Sequence, residues 1–234
     1  MINGITDSNQ KIGNTNLVIN LDAAQLRSYP GSGTTWTDLS GNNSNGTLVN
    51  GPVFNSGNGG NIITDGINDY VSTPYIGSVS DNYTFSAWFK NDNFSEEKYI
   101  ITRGRDGAGS GWSLLLSIST TGIPGSGVVP TLPTVIGIGA SGTTVTALNT
   151  WYYLTGVWIS STSINIYVNG ILEGTTATAG RTRLRTSTAG FTLGSVTTTV
   201  FTSGATAAVE VYNRALSAAE ILQNFNARKS RFGY

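Results

Sequence analysis

Short runs of alternating apolar and polar residues recur along the whole chain, and this period of two constrains the fold more than any other feature. Such runs occupy residues 17–21, 84–89, 164–168 and 207–212. Successive side chains of a β-strand point to opposite faces, so each run predicts a strand with one apolar face. Turn-forming Gly, Pro, Asn and Ser residues separate the runs. We therefore predict an all-β fold, a jelly-roll-like sandwich of two antiparallel sheets.

One turn between two strands is specified by its sequence. Asn169 and Gly170 lie between an alternating run and the apolar pair Ile171 and Leu172. Asn-Gly is the strongest two-residue hairpin signal, because both turn positions need a positive φ. The sequence therefore predicts a β-hairpin at this point.

A single short helix is predicted near the C-terminus. Ser217 and Glu220 have the S-x-x-E spacing of a capping box, which marks where a helix begins. Arg228 and Lys229 are expected in its last turn, where positive charge suits the helix dipole. The residues expected to face the sandwich are Ile221, Leu222 and Phe225.

Composition excludes several classes of chemistry. The 234 residues include no cysteine and no histidine, and 13 basic residues balance 13 acidic ones. Thiol nucleophiles, Ser-His-Asp catalysis and the usual zinc ligands are therefore excluded. Zero net charge gives no electrostatic footprint for a nucleic-acid partner. No apolar run approaches the length of about 18 residues that a membrane-spanning helix needs, so we expect no membrane insertion.

Six short motifs occur in a fixed order along the chain, and together they resemble one superfamily. They lie at residues 37–42, 65–71, 84–89, 151–153, 166–170 and 211–217. The sequence resembles the concanavalin A-like, or laminin G-like, lectin/glucanase superfamily from about Leu17 to Phe225. Its opening, residues 20–36, and its ending, residues 216–233, are similar to those of standalone virion proteins of tailed phages.

The resemblance implies an organisation and a function. An N-terminal arm is expected at residues 1–16, a laminin G-like sandwich at 17–228 and a C-terminal tail at 229–234, which is expected to fray, with docking on an adjacent subunit as the alternative. The function implied is a non-catalytic structural protein on the head, neck or tail of a virus particle, with recognition of host glycans. Such a protein would contact other virion proteins as an oligomer. Since no export leader is visible at the N-terminus, we expect a virion location, and a secreted lectin or carbohydrate-binding module is the alternative.

Catalysis is the third function that the superfamily offers. Its glucanases use carboxylates in an E-x-D-x-x-E pattern on one strand, and retaining hydrolysis needs two carboxyl groups about 5 Å apart. None of the five glutamates of this chain has that spacing. Glu210 alternates with core positions but has no acidic neighbour in sequence, so we predict that the protein is not an enzyme.

Calcium is the one cofactor that the resemblance suggests, because many members hold it in rim loops. Oxygen-bearing side chains of the kind that calcium prefers lie in two loops. The candidate ligands are Asp38, Asn42, Asp65, Asn68 and Asp69. The alternative is that these side chains shape turns by binding their own backbone, and the residue pattern favours it.

Candidate contacts for a glycan or a protein partner come from one tryptophan and two groups of arginines. Trp36 is expected in a loop, where it either offers an aromatic face to a sugar or belongs to the core. Arg103 and Arg105 flank a glycine in a polar loop. A strand would place Arg181, Arg183 and Arg185 on one face. That row of arginines would bind an acidic glycan or a neighbouring subunit. The alternative is that its like charges prevent an exposed strand edge from pairing with another chain.

Overall fold

The computed structural model of the chain describes residues 12–74, 82–103, 113–129, 137–181, 190–196 and 199–234. Within them the strands, in chain order, are β1 Leu17–Asp22, β2 Thr35–Trp36, β3 Gly46–Val49, β4 Val53–Asn55, β5 Asn61–Asp65, β6 Tyr70–Ser72, β7 Asn82–Lys90, β8 Lys98–Arg103, β9 Leu114–Ile118, β10 Pro124–Val128, β11 Ile138–Ser141, β12 Trp151–Ile159, β13 Ser163–Val168, β14 Ile171–Ala177, β15 Phe191–Leu193 and β16 Ser203–Tyr212. One α-helix, α1 (Ala218–Asn226), follows them.

The strands form two antiparallel sheets of eight strands each, as the sequence predicts. Sheet A has the order β14-β13-β12-β7-β16-β5-β4, and sheet B has the order β11-β10-β9-β8-β15-β6-β3-β2. Strand β16 is long enough to pair with two strands on one side. Its first residues pair with β5, and residues 208–212 pair with β1.

The main core lies between the sheets and follows the predicted alternation. Phe85, Ala87 and Phe89 of β7 point into it and meet side chains of sheet B such as Leu116 and Val71. All five are buried. Burial of this apolar surface is the main stabilising contribution to the sandwich.

The outer face of sheet A, which points away from sheet B, carries a second apolar cluster. Trp88 and Tyr153 of this face pack with Ile221 and Phe225 of α1. Strand β7 is therefore buried on both faces along most of its length. The alternation pattern predicted only one buried face for this strand, because α1 covers the other.

The hairpin and the start of the helix are confirmed. Asn169 and Gly170 have φ values of 51° and 84°, as a two-residue turn of this type requires. The Ser217 hydroxyl accepts the backbone N–H of Glu220, and the Glu220 carboxylate accepts that of Ser217. Helix α1 thus begins at the predicted capping box.

Three predictions for the C-terminus are wrong. Leu222 is 43% exposed, whereas Ile221 and Phe225 are buried. Helix α1 ends at Asn226, so Arg228 and Lys229 are not in its last turn. The tail at 229–234 is not frayed, because a 3₁₀ turn at Lys229–Phe232 lays its aromatic side chains on the outer face of sheet A.

The predicted N-terminal arm is described only from Ile12 onward, and residues 1–11 lie outside the described ranges. Ile12 packs against the outer cluster, and the Gly13 amide donates to the Asn224 side chain. In the part of the chain that the structure covers, no helix is long and apolar enough to cross a membrane.

Candidate ligand-binding site

One row of paired residues crosses the outer face of sheet A where α1 does not cover it. Trp151 pairs with Lys90, Lys90 with Ala205, Ala205 with Ile63, and Ile63 with Val53. Paired residues of neighbouring antiparallel strands point to the same face. Small Ala205 lies between the longer Lys90 and Ile63, so the surface dips at its position.

This dip is an open depression with a volume of about 170 Å³. Its lining residues are Asn55, Asn61, Ile63, Lys90, Asp92, Asn149, Gly204 and Ala205. Gly204 has a φ of 139°, and a Cβ at this position would lie 2.4 Å from the Phe89 ring. Glycine is therefore required in the floor of the depression. Drug-sized ligands occupy pockets of about 300–1,000 Å³, so this site suits one small unit of a larger ligand.

The polar side chains of the lining are suited to hydroxyl groups. Asn61 is buried and donates to the Gly57 carbonyl at 2.9 Å, whereas Asn149 is exposed. The Lys90 ammonium lies 5.3 Å from the centre of the Trp151 ring. No carboxylate of the described residues pairs with it. An amide both donates and accepts hydrogen bonds and an ammonium only donates, so together they can satisfy the donors and acceptors of a sugar.

Asp92 stands at the edge of the depression and is held on one side only. Its Oδ1 accepts hydrogen bonds from the Ser203 hydroxyl at 2.8 Å and from the side-chain Nδ2 of Asn93 at 3.0 Å. The Lys98 ammonium lies 3.5 Å from the same oxygen. Within the described ranges no hydrogen bond reaches Oδ2, and the side chain is 46% exposed. The carboxylate is therefore oriented and still has an acceptor oxygen for a ligand.

Beyond the depression, the same face of sheet A holds a buried cluster of four charged residues, Asp22, Glu210, Arg228 and Arg231. Arg228 Nε lies 3.1 Å from Asp22 Oδ2, and Arg228 also contacts Glu210 Oε1. Arg231 donates to Asp22 Oδ1 at 2.8 Å. We refer to these four residues as the carboxylate–arginine cluster.

The prediction that Glu210 lacks an acidic neighbour holds in sequence but is wrong in space. Strand β1 places Asp22 on the same face, and Arg228 bridges the two carboxylates. Burial raises the pKa of Glu210, and the Asp22 charge raises it further, against the opposing effect of Arg228. Glu210 is fully buried, and Asp22 is 3% exposed. Arg228 and Arg231 pair with these carboxylates, and the C-terminal tail covers the pair. A substrate therefore cannot reach Asp22 or Glu210.

The comparisons with known proteins agree with this architecture. A family model described as the concanavalin A-like lectin/glucanases superfamily matches residues 65–222. The chain belongs to this superfamily. A search of curated proteins found no match.

Solved structures with this concanavalin A-like fold include parts of larger proteins. Trypanosoma rangeli sialidase matches with a TM-score of 0.66 and 16% identity, over 95% of this chain and 34% of the sialidase. The binding domain of botulinum neurotoxin serotype G matches with a TM-score of 0.70 and 16% identity, over 92% of this chain and 52% of that one. The binding domain of Paraclostridial Mosquitocidal Protein 1 matches with a TM-score of 0.67 and 16% identity, over 92% of this chain and 52% of that one. The chain spans between a third and about half of these proteins, and the likeness shows the fold.

The calcium ligands suggested by the concanavalin A-like resemblance divide between two loops, and in each loop one aspartate carboxylate, that of Asp38 or Asp65, accepts backbone amides. Asp38 accepts the amides of Asn20, Ser40 and Ser44 at 2.8–3.0 Å. The Asn42 side chain donates to the Leu17 carbonyl at 2.9 Å. These contacts match the turn-shaping alternative for the first loop.

The second loop behaves in the same way. Asp65 Oδ1 accepts the amides of Ile67 and Asn68, and the Ile67 bond lowers the pKa of Asp65. Burial raises the pKa of neighbouring Asp69, and the Asp65 charge adds to this effect. No group of three or more His, Cys, Asp or Glu side chains in the described ranges is placed to hold a metal ion.

The structure corrects two predicted glycan contacts in this concanavalin A-like chain. Trp36 is fully buried in β2 and belongs to the main core. Arg103 is also fully buried at the end of β8, where it donates to the Tyr83 hydroxyl at 3.1 Å and lies over the Phe191 ring. Neither side chain can reach an external ligand. The apolar surroundings that place them inside were not visible in the local sequence.

The remaining predicted contacts are the other arginines. Arg181 is half-buried, and its carbonyl accepts the Ser161 amide at 2.8 Å. Arg105, Arg183 and Arg185 lie outside the described residues. The lining of the depression was not predicted, because its asparagines and Lys90 have no distinctive spacing and are brought together only by sheet pairing.

Proposed function

We propose that this chain is a non-catalytic recognition protein that binds one sugar unit of a cell-surface glycan in the depression on sheet A. The observation that carries the proposal is the lining itself, in which amides, one ammonium and one oriented carboxylate surround a small open space. Sugars present closely spaced hydroxyl groups, and these side chains offer matching donors and acceptors. The sialidase and toxin-binding-domain neighbours are compatible with such a role.

The proposed function is non-catalytic because of where the acidic side chains lie. Hydrolysis by a retaining mechanism needs two carboxyl groups that both face the substrate. The Asp22 and Glu210 carboxylates face each other through Arg228 and are buried. Asp92 contributes a single carboxylate to the depression. Recognition without bond cleavage is therefore the function that this arrangement supports.

A glycan array with purified protein tests the site. We expect saturable binding to a subset of glycans and a loss of about three- to tenfold in affinity for Asn149→Gly, the value of one hydrogen bond. Glycine is the right replacement because Asn149 has a φ of 57°. Asn43→Gly is the matched control, since Asn43 is exposed, has the same φ of 57° and lies in the β2–β3 loop. Equal binding by both variants would remove the depression from the proposal.

We further propose that the protein displays this site on the surface of a virus particle, in contact with other virion proteins. The support is the resemblance of residues 20–36 and 216–233 to tailed-phage virion proteins. Immunogold labelling of particles purified from infected cells is expected to decorate the particle surface. Label found only in the soluble fraction would favour the secreted lectin instead.

A further inference from the structure

Lys98 carries a fully buried positive charge beside the depression. Its side chain is 0% exposed, and its ammonium contacts Ser203 Oγ at 2.9 Å, Asn93 Oδ1 at 3.0 Å and Glu96 Oε1 at 3.2 Å. Burying a charge is costly unless it is paired and hydrogen-bonded. Here the oxygens of one rim loop and of the start of β16 surround it.

We infer that Lys98 is a built-in cation that positions Asp92 as a hydroxyl acceptor, so that glycan binding needs no calcium. The inference rests on the proposed function of the depression and adds to it a positioning residue and a ligand class. Lys98 itself does not line the depression. It acts through the side chains that its ammonium holds.

The ammonium fixes Asp92 both directly and through Ser203. Lys98 begins β8 of sheet B and Ser203 begins β16 of sheet A, so their contact joins the two sheets at the rim. Ser203 in turn donates to Asp92 Oδ1, and the next two residues form the floor of the depression. Oδ1 is thereby occupied, and Oδ2 is the oxygen left for a ligand.

This arrangement takes the place of a metal ion. Calcium in a rim loop would gather carboxylate and amide oxygens around one positive centre. Asp92, Asn93, Glu96 and Ser203 supply such oxygens, and the Lys98 ammonium already occupies the centre. The loop is therefore ordered without a diffusible cofactor.

The charges of the depression favour a neutral sugar with neighbouring hydroxyl groups. Lys90 can donate to one hydroxyl oxygen while Asp92 Oδ2 accepts the proton of the next. An anionic sugar would meet the Asp92 carboxylate at the same rim, and like charges repel. We expect the array to select neutral glycans.

Isothermal titration with the neutral glycan selected on the array tests the inference. Wild-type affinity is expected to be the same in calcium and in a chelator, and calcium alone is expected to give no saturable heat. Asp92→Asn and Lys98→Met should each weaken binding by about tenfold, the effect of losing a hydrogen bond to a charged group. The double variant should bind no more weakly than Asp92→Asn alone, because Lys98 acts through Asp92.

The controls separate positioning from general damage. Glu96→Gln removes the charge of another partner of Lys98 but keeps its acceptor oxygen, and because residue 96 does not line the depression the affinity should be unchanged. If Lys98→Met fails to fold, Ser203→Ala replaces it in the cycle. Four outcomes would each overturn the inference. Two concern calcium: wild-type binding is lost in the chelator, or calcium alone binds saturably. The other two concern the variants: the effects in the double variant are additive, or Asp92→Asn binds as tightly as wild type. A wild-type protein that binds no glycan would instead remove the proposed function on which it rests.

Discussion

The outer face of sheet A has a covered end and an open end, and the same two strands cross both. At the covered end β7 and β16 pair Trp88 with Ala208, and at the open end they pair Lys90 with Ala205. Trp88 stacks on Phe232 of the C-terminal tail with ring centres 4.0 Å apart. Lys90 faces the depression instead. Two residues along one strand thus separate a packed interior from an open depression.

Charged groups behave differently at the two ends. The carboxylate–arginine cluster at the covered end pairs its charges with one another, and burial keeps water away. At the open end Asp92 is anchored on one side and keeps Oδ2 for solvent or ligand. The C-terminal segment therefore covers one end of the face and leaves the other end open to solvent.

Removal of Arg228 should have the largest effect on stability. Arg228→Met leaves the carboxylates of Asp22 and Glu210 buried without their shared partner. Breaking a buried ion pair from one side costs about 3–5 kcal/mol. We expect that loss in the free energy of unfolding, measured by urea denaturation at pH 7.

A surface arginine provides the control for this change. Arg214 pairs with Glu220 at 2.7 Å, but the two side chains are 24% and 36% exposed. Arg214→Met should therefore cost about 1 kcal/mol or less. Equal losses in the free energy of unfolding for the two variants would mean that the charges at the covered end are no better shielded from solvent than those at the surface.

Truncation of Phe232 tests the apolar contacts between the C-terminal tail and the outer face of sheet A. Phe232 is half-buried and packs on both Trp88 and Trp151. A fully buried Phe→Ala change costs about 3–5 kcal/mol, so we expect about 2 kcal/mol for Phe232→Ala in thermal unfolding. Ser230→Ala, at an exposed position of the same 3₁₀ turn, is the control and should change the free energy of unfolding by less than about 0.5 kcal/mol.

The features that follow local rules were predictable from the sequence. Alternation located β1, β7, β13 and β16 because strand side chains have a period of two, and the Asn169-Gly170 hairpin and the Ser217 cap depend on neighbouring residues alone. The packing of the C-terminal tail on sheet A was not predictable. Contact between Phe232 and Trp88 joins distant parts of the chain, and no local pattern distinguishes a tail that packs from one that frays.

The candidate site was predicted less well than the fold, for a related reason. Trp36 looked like a loop aromatic because its strand is only two residues long, yet the sheets close over it. Lys98 belongs to none of the motifs or candidate contacts that the sequence indicated. Its role depends on Ser203, which is 105 residues away in sequence and adjacent in space. Sheet pairing assembles the depression, and pairing between distant strands was not inferred from the sequence.

The Arg214–Glu220 pair at the start of α1 should give a smaller, pH-dependent effect. The Arg214 hydrogen bond lowers the pKa of Glu220 from 4.5 to about 2. A carboxyl group whose folded pKa is depressed contributes stability that is complete above its unfolded pKa and is lost as the pH falls through the folded value. Because the pair is at the surface, Glu220→Gln should lose about 1 kcal/mol at pH 7.

The measurement for this pair is urea denaturation of wild type and Glu220→Gln at several pH values. The difference should be constant above about pH 5, shrink as the pH falls towards 2, and vanish only below about pH 2, where wild-type Glu220 becomes protonated. A difference that does not change with pH would assign the effect to the helix cap and not to the charge.

The smallest effect on stability is expected at the open end. Ile63 is 36% exposed and lines the depression, whereas its neighbour Ile62 is 1% exposed and points into the main core. Ile63→Thr keeps a β-branched side chain on a strand and should change the free energy of unfolding by less than about 0.5 kcal/mol. Ile62→Thr loses buried apolar surface and buries a hydroxyl, so it should cost about 2 kcal/mol or more. Similar losses in urea denaturation would show that the open end is packed like the covered end. A small loss for Ile63→Thr together with altered glycan affinity would show that this end of the sheet is available for recognition because the fold does not depend on it.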